Sequence, residues 1–314
     1  MVLYRQMDAP AFDPFSNKPD ISTTTRKLYM HNLSKLNKGK PIKNLNFLNP
    51  PSILEELNNI KSNTRRTYII AIVSALKGRP EAKYKKLYNR YYDELMKLNT
   101  ELKTNITKSD KQKENWMSQD DIIKKCNNLC EIIPEIEGKK KITDDEYTRL
   151  LHCLILSLYV KQQPRRNKDY TDMMIVRQTP ADTTMNYLNI NDWSWTFNNY
   201  KTKGTYNSVS LPVPEELQEI INVYIKYFPA SKEMKRKRPP PVPFLIHADG
   251  RIINTSTEMT RLLNKILGGK VGSSMLRNIF LTDKYADVNK EMSEDVKAMG
   301  TSLDTANNVY IKKE

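Results

Sequence analysis

The chain has 314 residues, enough for about two domains of ordinary size. Its 39% hydrophobic content can fill a core and excludes a disordered polymer. Lysine and arginine number 51 against 36 acidic residues, a net charge of +15. Such an excess marks a protein that meets a polyanion, with nucleic acid ahead of an anionic membrane. The longest apolar run, Leu150 to Val160, is broken by His152 and Ser157, and it falls short of the ~18–20 residues of a spanning helix. Met1 to Lys18 is polar and proline-bearing, unlike a secretory signal. An intracellular protein, neither secreted nor membrane-bound, is expected.

Residues 1–20 read as a flexible arm. Residues 21–103 read as a small helical domain. Its first helix begins at Ser22 and places Tyr29, Leu33 and Leu36 on one face. The second is opened by Asn63 and Thr64 and carries Ile69, Ile72, Val73 and Leu76. The third has an apolar stripe from Tyr84 through Leu87, Tyr91, Leu95 and Leu98 to Leu102. Basic residues are frequent here, among them Arg65 and Arg66, and no strand signal appears before about residue 110. Residues 104–115 are polar without an apolar period and read as a linker.

The second domain, 116–314, opens with Trp116 and a helix from Gln119. Thr143 and Glu146 have capping-box spacing ahead of a helix whose buried face is Tyr147, Leu150, Leu151, Leu154, Ile155 and Leu158. Period two then takes over. Met185–Ile190 and Trp193–Lys201 flank a turn at Asn191-Asp192, and Tyr206–Leu211 follows a second turn at Lys203-Gly204. Helices are expected to resume at Pro214, Thr257, Ser273, Asn289 and about Ser302. Lys235 to Arg238 running into Pro239–Pro241 reads as an exposed basic loop. The fold class is mainly α (α+β): a helical N-terminal domain and a mostly helical second domain with a small antiparallel sheet. Such a pair suits a clamp on DNA. Cys126, Cys130 and Cys153 lack the close pairing of zinc modules and read as buried free thiols in a reducing compartment, with no metal.

Four stretches of the second domain carry a more specific message. In Gln163-Pro-Arg-Arg-Asn-Lys-Asp-Tyr170, an arginine is followed by an acidic residue at i+3 and apolar residues at i+4 and i+7 if counting starts at Arg166; from Arg165 the positions fit badly. Asn199-Tyr-Lys-Thr-Lys-Gly204 puts Lys201 and Lys203 at a hairpin tip. Ser273-Ser-Met-Leu-Arg-Asn-Ile-Phe-Leu-Thr282 centres on Arg277. Met299-Gly-Thr-Ser-Leu-Asp-Thr-Ala-Asn-Asn-Val-Tyr310 ends in a tyrosine four residues from the C-terminus. In order and spacing these resemble the boxes of the tyrosine recombinase (integrase) family, including its His-x-Leu-Arg-His-x-Phe-x-Thr helix and its Leu-Gly-His-Ser-x-x-x-Thr-x-x-x-Tyr ending. The resemblance is specific from Arg166 onward and architectural before the linker. The Arg-Arg and Tyr-Lys-Thr wording looks most like integrase-type recombinases of large DNA viruses and mobile elements. Ser274 and Thr301 stand where the family usually has histidine (or lysine, or tryptophan).

The resemblance implies site-specific DNA recombination or integration through a covalent 3′-phosphotyrosine. Tyr310 would be the nucleophile, and Arg166 and Arg277 the phosphate clamp. Lys201, with Lys203 as the alternative, would be the general acid, and Ser274 and Thr301 hydrogen-bonding members of the site. Arg165, Lys203, Arg65 and Arg66 would contact DNA. No cofactor is implied, and the partners are double-stranded DNA and further copies of the chain, a tetramer with a dimer on each site. Only Ile311 to Glu314 follow Tyr310, so either the copies are held together from elsewhere, such as the N-terminal arm, or the chain is truncated. The alternatives are type IB topoisomerase-like relaxation of DNA and a catalytically impaired DNA-binding protein on the same scaffold. The protein is expected wherever its DNA is, in host cytoplasm or nucleus.

Overall fold

Ser22 accepts a hydrogen bond from the Thr25 amide and so starts the first helix where its residue type says it should. In the computed structural model, which describes residues 12–104, 107–201, 207–236 and 239–311, the chain divides into two units, Met1–Thr107 and Lys108–Glu314. The N-terminal unit is all helix: α1 (Thr23–Leu36), a short 3-10 turn (Asn46–Leu48), α2 (Ser52–Asn58), α3 (Ser62–Leu76) and α4 (Ala82–Thr104). Its core joins Leu33 and Leu36 to Ile69, Ile72 and Leu76 and to the α4 stripe Tyr84, Leu87, Tyr91, Leu95 and Leu98.

One expectation is corrected here. Of the proposed loose arm, the described residues pack. Phe15 is fully buried in the core, Arg79 donates to the Asp13 and Pro14 carbonyls at 3.2 and 3.0 Å, and the Lys18 ammonium reaches Ser74 Oγ at 3.2 Å. A fully buried aromatic adds about 1.5–3 kcal/mol, enough to hold this short segment down. The boundary between the two units falls within the expected linker, 104–115. That segment contains α5 (Asp110–Asn115), opened by a Ser109–Gln112 capping box; a polar helix of one and a half turns shows no apolar period to read.

In the C-terminal unit, α6 (Gln119–Cys130) and α7 (Ile132–Ile136) pack on α8 (Asp144–Val160). The Thr143–Glu146 capping box forms as spaced, and α8 buries ten residues from Tyr147 to Tyr159. After the short α9 (Asn167–Thr171) come β1 (Met173–Val176), β2 (Asn186–Asn189), β3 (Ser194–Phe197), β4 (Val209–Pro212), α10 (Glu215–Tyr227), α11 (Ser231–Met234), β5 (Val242–Pro243), α12 (Ser256–Leu267), α13 (Ser273–Ala298), α14 (Leu303–Thr305) and a π turn (Ala306–Tyr310). The sheet order is β4-β3-β2-β1-β5. The β2-β3-β4 meander is antiparallel, as the alternation predicts, with Leu188 opposite Trp195 and Trp195 opposite Leu211. The sheet is nonetheless mixed, because β1 adds in parallel to β2. Met-Met-Ile-Val is a continuous apolar run, and periodicity cannot separate such a strand from a buried helix.

Three further differences bear on the site. No helix begins at Asn289; α13 runs unbroken for 26 residues. Cys130 and Cys153 form a disulfide with Cα atoms 5.1 Å apart, joining α6 to α8, whereas free thiols were expected. Spacing along each helix does not say which helix faces which, and the α6–α8 contact is what brings the two sulfurs together. Cys126 is the free one, its thiol pushed up by burial. Lys235 and Arg236 are exposed as expected, and the rest of that basic run lies outside the described residues. Among the described residues no helix is long and apolar enough to cross a membrane, and no cluster of His, Cys, Asp or Glu suited to a metal is present.

Candidate active site

The first arginine is placed by a hinge between α8 and α9. Arg166 is the N-cap residue of α9, in extended backbone. The following Asn167, nearly fully buried, is tied on three sides. It accepts from the Tyr159 hydroxyl at 2.7 Å and donates to the Ser256 carbonyl at 3.0 Å and to Thr260 Oγ1 at 2.9 Å. Thus α9 is fastened to α8 and α12, and the direction in which Arg166 leaves is fixed by packing.

Its neighbour has a different task. Arg165 Nε contacts Asp169 Oδ2 at 2.9 Å, and its guanidinium lies 3.6 Å from the centroid of Phe197. Asp169 is 2% exposed. Burial pushes its carboxyl above the usual range while Arg165 pulls the other way, so the arginine compensates a buried charge. Arg165, expected as a phosphate contact, is thus paired with a buried carboxylate while its side chain stays partly exposed. Arg166 makes no side-chain hydrogen bond or ion pair among the described residues.

Lys201 lies beyond the end of β3 in an exposed turn, and Asn186 fixes the loop leading to it. Fully buried at the start of β2, Asn186 donates to the Asp169 and Asn199 carbonyls at 2.9 and 3.1 Å. It accepts from the Asn198 and Asn199 amides at 2.9 and 2.7 Å. One side chain with all four hydrogen bonds made thus couples the arginine-bearing turn to the lysine-bearing loop. The Tyr200 hydroxyl donates to the Asn207 carbonyl at 2.6 Å and closes the far side of that loop. Lys203 lies outside the described residues.

The second arginine sits on the first turns of α13, where Leu276 and Ile279 are buried and hold the helix to the body. Arg277 Nε donates to the Ser273 carbonyl at 3.3 Å, and its terminal nitrogen to Ser274 Oγ at 3.2 Å. It has no carboxylate within ion-pair distance among the described residues. Burial draws its pKa down, and the Arg166 charge adds to that. The α13 N-terminus begins at Gly272 with no side-chain cap and no acidic residue in its first turn, so its amides and the positive end of the helix dipole remain available to an anion.

These pieces converge. Arg166, Lys201, Ser274 and Arg277 line one cavity of about 590 Å³, with Asn167, Asp169, Ser256, Thr260 and Ser273 among the other walls. A second lobe of about 320 Å³ shares Arg166, Asp169, Tyr200 and Arg277 and adds Arg165. Two guanidinium groups, an ammonium, a hydroxyl and a helix N-terminus around one space are suited to holding an anion.

The remaining residues are elsewhere. Thr301 follows the turn at Gly300, whose φ of +67° is the left-handed geometry that a glycine stop supplies; its amide bonds to the Val296 carbonyl. Ser302 then caps the next turn through the Thr305 amide. Tyr310 ends the π turn, 57% exposed, and neither it nor Thr301 lines the cavity. In the N-terminal unit, Arg65 is ion-paired with Glu94 at 3.0 Å and Arg66 Nε donates to Asn99 Oδ1 at 2.6 Å. Sequence reasoning missed Asn167 and Asn186; the available signal was an asparagine on a strand that is buried throughout, which demands partners. The chain matches no family model, no curated protein and no solved structure.

Proposed function

We propose that the protein is a tyrosine recombinase that cleaves and rejoins double-stranded DNA through a covalent 3′-phosphotyrosine at Tyr310. The observation that carries this reading is the cavity in which Arg166 and Arg277, neither ion-paired among the described residues, meet Lys201 and Ser274. Two like charges drawn into one partly buried space cost free energy unless an anion sits between them, and a scissile phosphate is such an anion. Arginine suits the task because it stays charged when desolvated and forks onto two oxygens.

In the reaction, the Tyr310 oxygen attacks phosphorus, its proton passes to water, and the bond from phosphorus to the 5′-oxygen breaks. The Lys201 ammonium protonates that leaving oxygen. Both arginines and the Ser274 hydroxyl neutralise the charge that builds on the non-bridging oxygens. A clamp donor of this kind is worth roughly 10²–10³ in rate, and a general acid about 10²–10⁴. The phosphotyrosine conserves the bond energy, so a 5′-hydroxyl from a second strand reverses the step. Ser274 and Thr301 offer hydrogen bonds but no base near neutral pH, so a slow enzyme is expected.

The test uses a pool of end-labelled, nicked duplexes of randomised sequence, in which the cut fragment diffuses away and traps the adduct. The expected result is a denaturant-stable protein–DNA species that is lost in Tyr310→Phe and maps to the peptide bearing Tyr310. Salt-sensitive binding with no adduct would make the protein a DNA binder on this scaffold. An adduct with relaxation of supercoiled plasmid, but no strand transfer between duplexes, would make it a topoisomerase.

A further inference from the structure

One carboxylate beside the cavity is held from two sides and takes no part in the chemistry above. The His247 Nε2 proton is donated to Glu258 Oε1 at 2.9 Å, and Arg251 Nη1 donates to the same oxygen at 3.3 Å. Both donors stand on a tight hairpin. The His247 amide donates to the Arg251 carbonyl at 2.8 Å, the Gly250 amide to the His247 carbonyl at 2.9 Å, and Ile246 pairs with Ile252. The hairpin is itself fastened to two helices. The Ile246 amide donates to the Tyr224 hydroxyl of α10 at 3.1 Å, and the Tyr147 hydroxyl of α8 donates to the Ile246 carbonyl at 3.0 Å. Glu258 is therefore tied to a fixed point of the unit.

What Glu258 carries is the first turn of α12. Its amide donates to Thr255 Oγ1 at 3.2 Å and so completes the N-cap. Asn254 to Thr257 are exposed, and the first side chain that α12 sends into the core is Met259. A helix end without an apolar anchor frays, and here the anchor is ionic. Yet this turn bears both acceptors of the Asn167 amide, the Ser256 carbonyl at 3.0 Å and Thr260 Oγ1 at 2.9 Å. The Thr260 hydroxyl donates in turn to that same carbonyl at 2.8 Å, so the two acceptors move together.

We propose that Glu258 is a positioning residue for Arg166: through the first turn of α12 it holds Asn167, and Asn167 sets the direction in which the adjacent arginine enters the cavity. Glu258 does not line the cavity, so it acts only through these contacts. For its effect on rate, this assignment rests on the strand-cleavage reading above. A partly exposed ion pair contributes little to global stability, and a loss of rate without a loss of stability is what separates positioning from general support.

The test compares full-length Glu258→Ala with Glu258→Gln, which keeps an acceptor for His247. On the nicked duplexes at saturating DNA, Glu258→Ala should slow adduct formation about tenfold, with the half-saturating DNA concentration unchanged. Glu258→Gln should recover most of the rate. In an Arg166→Ala background, Glu258→Ala should cost less than about twofold, because nothing is left to position. A second readout is independent of cleavage. By NMR, the side-chain amide protons of Asn167 should exchange with water about two- to tenfold faster in Glu258→Ala, while those of Asn186, which are bonded to Asp169 and Asn199, keep their wild-type rate. Equal rate losses in both arginine backgrounds, equal acceleration at Asn167 and Asn186, or an unchanged Asn167 would each overturn the assignment. A wild type that forms no adduct would overturn strand cleavage instead, and the amide comparison would still decide whether Glu258 holds Asn167.

Discussion

Arginine serves opposite purposes in the two units of this protein. In the N-terminal unit the arginines are tied into the structure. Arg65 pairs with Glu94 and Arg66 bonds Asn99. Arg79 holds the Asp13 and Pro14 carbonyls, and Arg90 those of Leu48 and Asn49. In the C-terminal unit the division runs between adjacent residues: Arg165 is committed to Asp169, whereas Arg166 faces the cavity with Arg277. The N-terminal unit has 19 basic and 9 acidic residues within its 107, a larger excess than the remaining 32 against 27. Yet the constellation able to hold a phosphate is in the less basic unit. Charge excess announces a polyanion partner; what locates the chemistry is which cations the fold leaves without a carboxylate.

The sharpest test of that division is Arg165→Ala. It strands the Asp169 carboxylate in the core, and removing one partner of a buried pair costs about 3–5 kcal/mol. Urea denaturation should show the C-terminal unit unfolding at much lower denaturant. If stability is unchanged and only DNA cleavage falls, Arg165 belongs with the cavity arginines and the division fails.

Arg277→Ala is expected to behave in the converse way. The adduct rate should fall by roughly 10²–10³, about 3–4 kcal/mol in the barrier, with no loss of melting temperature. Burial and the Arg166 charge both disfavour the Arg277 cation, so its removal relieves repulsion. A variant that unfolds would show that Arg277 supports the fold instead.

Much of this arrangement could be read in the sequence, for identifiable reasons. Helix ends were legible where a few local residues do the work: Ser22 at the start of α1 and the Thr143–Glu146 box at the start of α8. Arg166, Lys201, Ser274 and Arg277 were legible through a resemblance of spacing, and the cavity unites them. What escaped was whatever depends on two distant segments meeting. The Cys130–Cys153 bond needs α6 to face α8, and β1 needs β2 beside it. The role of Asn186 arises from four hydrogen bonds to three residues, Asp169, Asn198 and Asn199. The Arg165–Asp169 pair is four apart along the chain, but only burial makes Asp169 require it. The long α13 escaped for a related reason. Its middle has no core to face, so its apolar spacing is weak, and a break near Asn289 looked as reasonable as continuation.

A smaller effect is expected from Arg65→Ala, because its partner Glu94 is only partly buried and is also bonded by Lys97 at 3.0 Å. The loss should be about 1–3 kcal/mol of stability in the N-terminal unit. Nonspecific DNA affinity at fixed salt should change by less than about twofold, since an arginine already paired releases few counterions on binding. A weakened affinity with no change in stability would return Arg65 to the DNA-contacting set and blur the contrast between the units.

The smallest expected effect compares one half-buried carboxylate from each unit. The Lys139 ammonium and the Thr143 amide hold Glu146 well below the ordinary glutamate value of 4.5, at about 2. For Asp13, burial pushes upward, but the Phe15 amide and Arg26 outweigh it and the net shift is downward from 3.8. A depressed folded-state pKa gives stability that is present above the unfolded value and lost as pH falls through the folded one. The melting-temperature gap between wild type and Glu146→Gln should therefore be constant above about pH 4.5 and close between there and about pH 2. The gap for Asp13→Asn should begin to close only below about pH 3.8. Two closing ranges with different onsets would show that each unit carries its own acid-sensitive contact, Glu146 at the start of α8 and Asp13 in the segment packed ahead of α1. A gap for Glu146→Gln that persists unchanged down to pH 2 would show that side-chain shape at the α8 cap, and not the carboxylate's charge, stabilises that end of the helix.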